Sequence, residues 1–471
     1  PWTLTYLAQI GEDLSNAQVI IPQLPQLVVA NNLSHVTFKG LTFSHDNWVV
    51  PPAGHLSVQA EPSVTAAVSF TNSSNITFDS DIIAHTGGWG IDFVGDNTAN
   101  SASNQVLNSM LYDIGTGGIR IGKTVSKNDT DANVPQFNTI QNNVVAGFGR
   151  VLPAGTGTGI WIGDSHDNLV THNEVFDGYN GGIGVCVPTT ASCQGLSNSG
   201  GAFNNVVSYN LVYQLGLGVT DDMGCIYLAT EAATGNKVLN NRCHDVMHAT
   251  EDPDGYGGNG IYIDSTTHGV LVQNNLVYRV SQAGLQNTIG AQSPTDAPNI
   301  IQNNIFAYSL QGTLVHGGGS PVSALYFSFH NNLVYFDKGS IQKRGYWYCW
   351  NTACSSIYDF AGNAYWNTNG MLATLPNAFF VTNANGGIIQ NYSFAGWQGI
   401  GEDPGGVVAD PHFTNPIYPA DDFSLKDTSV ANQVGFVPFD TNAPGRTSKV
   451  LNPPAVPAGF PLTLLNPTTD Y

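Results

Sequence analysis

The chain has 471 residues, of which only 10% are charged, with 14 Lys and Arg against 34 Asp and Glu for a net charge of −20. That surface repels nucleic acid and anionic membranes, and it disfavours a polyanionic ligand unless a local basic groove or Ca²⁺ compensates. Gly is abundant at 53 residues and Asn is frequent, a composition that suits a turn-rich β protein better than a helical one.

The chain opens at Pro1-Trp2 with no visible signal peptide, as expected of a processed or truncated form. No apolar run is long enough to cross a membrane as a helix. Repetition begins early. Val36-Thr-Phe-Lys-Gly-Leu-Thr-Phe-Ser-His45 aligns with Ile76-Thr-Phe-Asp-Ser-Asp-Ile-Ile-Ala-His85. Further along, the unit becomes an apolar residue, two intervening positions, Asn-Asn, an alternating apolar pair, a turn and then Gly-Ile-x-Ile. Its second Asn falls at Asn143, Asn173, Asn210, Asn241, Asn275, Asn304 and Asn332, in steps of 28 to 37 residues. Variable steps around a fixed unit mark a solenoid. The apolar period is two, so each unit holds short strands, and leucine-rich and ankyrin types are excluded. Asn at one recurrent slot predicts an internal amide ladder, one rung per coil. The expected fold is all-β, a right-handed parallel β-helix over residues 1–336; an antiparallel propeller or sandwich is the alternative. Residues 337–471 lose the repeat, carry Tyr346-Trp-Tyr-Cys-Trp350 and Tyr365-Trp366, and read as an irregular segment capping the open end of the helix.

Six cysteines suit an oxidising compartment. Cys186–Cys193 and Cys349–Cys354 are close enough to close small loops, which leaves Cys225 and Cys243 as the default third pair; free buried thiols are the alternative. Sequons at Asn32, Asn72, Asn75, Asn128 and Asn391 agree with secretion. A secreted, monomeric protein is expected.

Aligning the Gly-Ile strands gives one row of outward positions: Asp92, Arg120, Trp161, Gly184, Tyr227, Tyr262, Gln286 and Val315. Trp161, Tyr227 and Tyr262 would offer aromatic faces to sugar rings, with Gln286 beside them; aromatic rows also stabilise β-helices with no ligand at all. Carboxylates crowd this row. Asp264 follows Tyr262 by two and shares its face. Asp222 precedes Ile226 by four, so fully extended strands would leave it roughly 20 Å from Asp264, whereas Glu231 would stand about 8 Å away. Glycoside hydrolysis needs one carboxyl group to protonate the leaving oxygen and a second to attack carbon or activate water. His45 and His85 fill one repeat slot that Asp113, Asp177, Asp245 and Arg279 fill later. Turn capping is their ordinary role and substrate contact the functional one. No cofactor is expected. The one stretch with oxygen ligands suited to Ca²⁺ is Glu251-Asp252-Pro253-Asp254-Gly255, and an acidic Gly-rich loop is usually a plain loop.

Asp222-Met-Gly-Cys-Ile-Tyr227, then Asn240-Asn241, then Gly260-Ile-Tyr-Ile-Asp264 resembles the repeat block of the β-helical glycoside hydrolases of family 141. Residues 19–48 resemble that group's opening segment, and the resemblance spans most of residues 1–335. It implies activity on xylan or fucosylated pectic glycans, with an aspartate pair that falls on Asp222 and Asp264; strand geometry by itself prefers Glu231 to Asp222. A polysaccharide or oligosaccharide is therefore the expected partner. Two other readings stand. A lyase or uronate epimerase would need a base and cations for the uronate, for which Arg120 and Arg279 are available. A non-catalytic glycan-binding β-helix would need neither.

Overall fold

The computed structural model describes residues 3, 5–8, 10–55, 59–96, 101–123, 133–152, 157–186, 201–249, 256–316, 324–342, 347, 356–382, 387–448 and 451–452. Three parallel sheets of 10, 11 and 12 strands run side by side along a right-handed β-helix. A complete coil contributes one strand to each sheet. Sheet 1 runs from Val28–Asn31 to Gly312–His316, sheet 2 from Ser34–Lys39 to Tyr358–Ala361, and sheet 3 from Thr42–Ser44 to Val407–Val408. Among the described residues the only α-helices are Phe394–Gly399 and Ser429–Gln433.

Alternation puts one apolar column inside each sheet. Ile91, Ile119, Ile160, Ile183, Ile226 and Ile261 stack in register in sheet 1 and are fully buried. Val106, Ile140, Val170, Val207, Val238 and Val272 do the same in sheet 2. β-Branched residues suit this place because they pack flat against their counterparts one coil away.

The Asn slot is a ladder. Asn143 Nδ2 donates to Asn173 Oδ1 at 3.0 Å and to Val106 O at 2.8 Å, while its backbone N–H also donates to Asn173 Oδ1. The same pattern repeats from Asn173 through Asn210, Asn241, Asn275, Asn304 and Asn332. Each rung satisfies buried turn donors that would otherwise cost about 1–3 kcal/mol apiece. A second ladder, not evident from the repeat alignment, runs along the corner before sheet 2. There Asn138 Oδ1 accepts from Asn104 N–H, Asn168 from Asn138, Asn205 from Asn168 and Asn236 from Asn205.

The coils continue beyond residue 336. Tyr358–Ala361 and Ala364–Asn367 add strands to sheets 2 and 3, and Asn332 Nδ2 donates to Asn363 Oδ1. Aromatic residues hide the repeat there, because Phe360 and Tyr365 occupy inward slots held earlier by aliphatics. Trp397 then stacks on Phe379 at 4.9 Å and covers the end of the core. The rest of the tail is a strap rather than a lid. It runs back along the corner between sheets 2 and 3, where Asn331 donates to Val434 O, Asn303 exchanges bonds with Val437, and Asn142 Oδ1 accepts from Thr447 and Ser448 N–H.

Cys225 and Cys243 form a disulfide across the core, joining sheet 1 to sheet 3 within one coil. The other two proposed pairings involve residues outside those described. Replacing both Cys225 and Cys243 by Ala is expected to lower unfolding stability by about 3 kcal/mol, from the entropy of an 18-residue separation. Denaturant unfolding of oxidised protein and the double variant measures it.

Candidate active site

The outward row of sheet 1 is in the order that the sequence predicts: Asp92, Arg120, Trp161, Gly184, Tyr227, Tyr262, Gln286 and Val315 are successive register partners. Its exposure is not. Trp161 and Gln286 are 0% and 1% exposed. Residues 61–64, from the long connection before sheet 1, lie over the start of this face. Arg120 donates to Pro62 O and Val64 O, and Trp89 Nε1 donates to Glu61 O. Trp161 therefore has no ring surface to offer a sugar. Gln286 has both amide ends engaged: Oε1 accepts from Asn259 Nδ2 at 2.8 Å, and Nε2 donates to Tyr256 Oη at 2.7 Å.

Tyr227 and Tyr262, on adjacent coils, stack at 4.1 Å between centroids with their planes 15° apart. Both rings are buried, at 3% and 1% exposure, and their hydroxyls reach outward to the two carboxylates. The pairing is crossed. Tyr227, from the strand that follows Asp222, donates to Asp264 Oδ2 at 2.5 Å. Tyr262, from the strand that precedes Asp264, donates to Asp222 Oδ1 at 3.2 Å. The extended-strand expectation of a wide gap between the aspartates is corrected here. Asp222 adopts a left-handed conformation with φ 51°, its N–H donates to Tyr256 O at 2.7 Å, and this bend turns its carboxyl back over the tyrosines. Gly257 permits the bend, since a Cβ there would lie 2.3 Å from Asp222 N.

The two carboxylates differ in surroundings. Asp264 Oδ1 accepts from Ser265 N–H at 2.6 Å and Thr288 Oγ1 at 2.8 Å, which with Tyr227 makes three donors. Asp222 has Tyr262 as a side-chain donor, and the Gln59 amide, which donates to its backbone carbonyl at 2.8 Å, also favours its charged form. Burial, then the nearby Asp264 charge, push the Asp222 carboxyl up to about 6. Burial also raises the tyrosine hydroxyls, Tyr256 to about 12 and Tyr227 well above the usual range, so both remain donors.

Glu231 lies on the coil of Tyr227. It sits in the turn after Leu228 with φ 46°, and its N–H donates to Thr267 Oγ1 at 3.1 Å. His45 and His85 stack on each other at 4.7 Å at the corner after sheet 3, both with positive φ, and His85 Nδ1 pairs with Asp113 at 2.7 Å. Four coil steps put His85 roughly 20 Å from the tyrosine pair along the axis, so these histidines shape a corner and do not line this site. Glu251, Asp252 and Asp254 lie outside the described residues. Among those described, no group of three or more His, Cys, Asp or Glu is placed to hold a metal. Tyr256, half-exposed, is a member of the site that the sequence pattern does not single out, as are Gln59, Asn259 and Thr288.

Arg120 and Arg279 are engaged elsewhere. Arg120 pairs with buried Asp92 and the Pro62 and Val64 carbonyls. Arg279 pairs with Asp245 at 2.7 Å and with Asp421, between the rings of Tyr278 and Tyr418.

No family model matches the chain, and no curated protein is similar to it in sequence. Among solved structures, a glycoside hydrolase superposes with a TM-score of 0.51 at 21% identity over 63% of this chain and 53% of its own, so the chain spans about half of that protein. A family 136 lacto-N-biosidase from Eubacterium ramulus superposes with a TM-score of 0.44 at 11% identity over 69% of this chain and 60% of that one. A periplasmic alginate epimerase gives 0.35 at 12% identity over 61% and 66%. At such identities the likeness is one of fold, and the first of them supports the parallel β-helix.

Proposed function

We propose that this chain is a secreted glycoside hydrolase acting on a neutral plant cell-wall-type glycan, such as xylan or a fucosylated side chain, in the manner of family 141. The observation that carries the reading is the crossed pair: two aspartates over one tyrosine stack, each held by the tyrosine of the other's coil, in unlike surroundings. Unlike surroundings are what acid and base roles require of two chemically identical groups. Asp222, raised by burial, gives its proton to the glycosidic oxygen as the bond to the anomeric carbon breaks. Asp264, oriented by three donors, attacks that carbon or takes a proton from water. Tyr227 and Tyr262 fix the carboxylates, and Glu231 is the substitute carboxylate only if Asp222 proves dispensable.

The charges that act on Asp222 are acidic, Asp264 and Asp221. The two arginines that a uronate would need are already paired, which favours a neutral sugar over a lyase or epimerase substrate. The Cys225–Cys243 bond supports a compartment outside the cytoplasm.

The test is a panel of neutral and acidic glycans, with products read by chromatography and mass. Saturated products are expected from a neutral glycan. Unsaturated uronates released only with Ca²⁺ would select a lyase, and binding with no product would select a glycan-binding module.

A further inference from the structure

Gln286 and Asn259 are buried, at 1% and 0% exposure, and neither touches a carboxylate. As their amides are oriented, the bonds they make run in one direction. Asn259 Nδ2–H donates to Gln286 Oε1 at 2.8 Å, which leaves the Gln286 Nε2–H to donate to Tyr256 Oη at 2.7 Å. Tyr256 and Tyr262 hydroxyls are 2.6 Å apart, and either could be the donor in isolation. With Tyr262 giving its single proton to Asp222 Oδ1, the proton of the Tyr256 hydroxyl is the one left for the bond between the two tyrosines. The result is a chain in which every proton points the same way, from Asn259 through Gln286, Tyr256 and Tyr262 to Asp222.

We infer that Gln286 is a positioning residue: its amide, locked by Asn259, sets the direction of this chain and thereby makes Tyr262 a dedicated, polarised donor to Asp222. Successive hydrogen bonds strengthen one another when their dipoles align. If the amide were absent, Tyr256 would be free to accept from Tyr262, and Tyr262 would then turn its proton away from the carboxylate. The chain explains why a glutamine follows the two tyrosines in the row, and why Tyr256 is held beside the site from the loop side. The groups that face Asp222 are Asp221 from its own turn, Tyr227 from its own strand, Asp264 and Tyr262 from the next coil, Tyr256 from the loop before Tyr262, and the neutral Gln59 amide from the connection before sheet 1. Of these, Tyr256 and Tyr262 belong to the chain.

The catalytic consequence rests on the hydrolase reading; the chain itself does not, so the experiment reads Asp222 directly. Infrared difference spectra of the protein are titrated against pH, and the Asp222 carboxyl band is assigned by its loss in Asp222→Asn. Gln286→Met keeps the volume but has no amide, and Tyr256→Phe cuts the chain at a half-exposed ring that the core does not need. Removing a donor to the charged form raises a carboxyl pKa, so each variant is expected to move the midpoint up by roughly half to one pH unit. The double variant should move it no further than either single, because both cut one chain. Unchanged midpoints in variants that keep the circular dichroism and melting temperature of the parent would overturn the inference, as would additive shifts in the double. Should the midpoints move while no glycan is cleaved by the parent, the chain stands and the hydrolase reading falls. If glycan is cleaved, the alkaline limb of the rate moves with the infrared midpoint.

Discussion

Asp264→Asn is expected to lower glycan turnover by about 10²–10⁴-fold while leaving the fold intact, and Asp222→Asn to do the same on natural substrates. The two variants separate on a substrate whose leaving group departs without a proton, such as a nitrophenyl glycoside. Asp222→Asn should then recover most of the lost rate, since the proton it supplied is no longer needed. Asp264→Asn should not recover, since the attack on carbon still lacks its base or nucleophile. The pH dependence carries a sign. Asp222 works as an acid and must hold its proton, so with its carboxyl at about 6 the parent rate is full below that pH and declines above it. Removing the Asp264 charge takes away one of the causes that raise Asp222, so the Asp222 midpoint in Asp264→Asn is expected to move down. Initial rates on both substrate types between pH 4 and pH 8 read all of this. Equal turnover in Asp264→Asn and the parent would sink the assignment.

Much of this site was legible as pattern and little of it as contact. The Gly-Ile-x-Ile strands fixed the outward row residue by residue, because alternation with period two leaves no freedom once the inward isoleucines are known. Asn143 to Asn332 announced their ladder because one slot repeats. The Asn104 to Asn236 ladder did not, because insertions separate those asparagines from the pattern that would align them. Trp161 and Gln286 face outward as read, but residues 61–64 and Tyr256 lie over parts of the row, and alternation says nothing about what covers a face. The preference for Glu231 over Asp222 came from treating the strand as extended through Asp222. One residue at φ 51° brings Asp222 back to the tyrosine pair, and a single left-handed Asp carries no signature in sequence. The motif resemblance pointed to Asp222 because it compares whole turns and not idealised strands.

A pH-dependent effect on stability is expected at the far end of the Asn ladder. Its last rung is an aspartate: Asn363 N–H and Nδ2 both donate to Asp403 Oδ1, at 3.1 and 3.2 Å. Asp403 is fully buried and its Oδ2 lacks a well-formed hydrogen bond, and neighbouring Glu402 is buried as well, with Oε1 in the same state. In an asparagine that second atom is an amide nitrogen, neutral at every pH. In Asp403 it must carry either a proton or a buried charge. Burial accordingly pushes Asp403 up to about 6, against the pull of the Tyr365 and Asn363 donors, and Glu402 up to about 8. Both folded values lie above the unfolded ones, so the folded chain binds more protons. The associated stability is complete below about pH 4, and it is lost as pH rises through 6 and then 8. Each pH unit by which a folded value exceeds the unfolded one corresponds to about 1.4 kcal/mol, so the protein should unfold at lower denaturant concentration at pH 8 than at pH 5, by a few kcal/mol. Asp245 works in the opposite sense, held down to about 2 by His244 and Arg279 against the cost of burial, with its contribution lost only below about pH 4; His316, held down to about 3 by burial, contributes stability that grows as pH rises to about 6.5 and offsets part of the loss. Asp403→Asn keeps the Oδ1 acceptor for Asn363, tolerates the φ of 51° at this position as asparagine does, and removes the titration. It is expected to stabilise the protein by about 2 kcal/mol at pH 8, to change little at pH 4, and so to flatten the pH dependence. Chemical denaturation of parent and variant at both pH values decides the matter, since a variant that is no more stable at pH 8 would mean that the ladder ends on a charge that the fold tolerates at no cost.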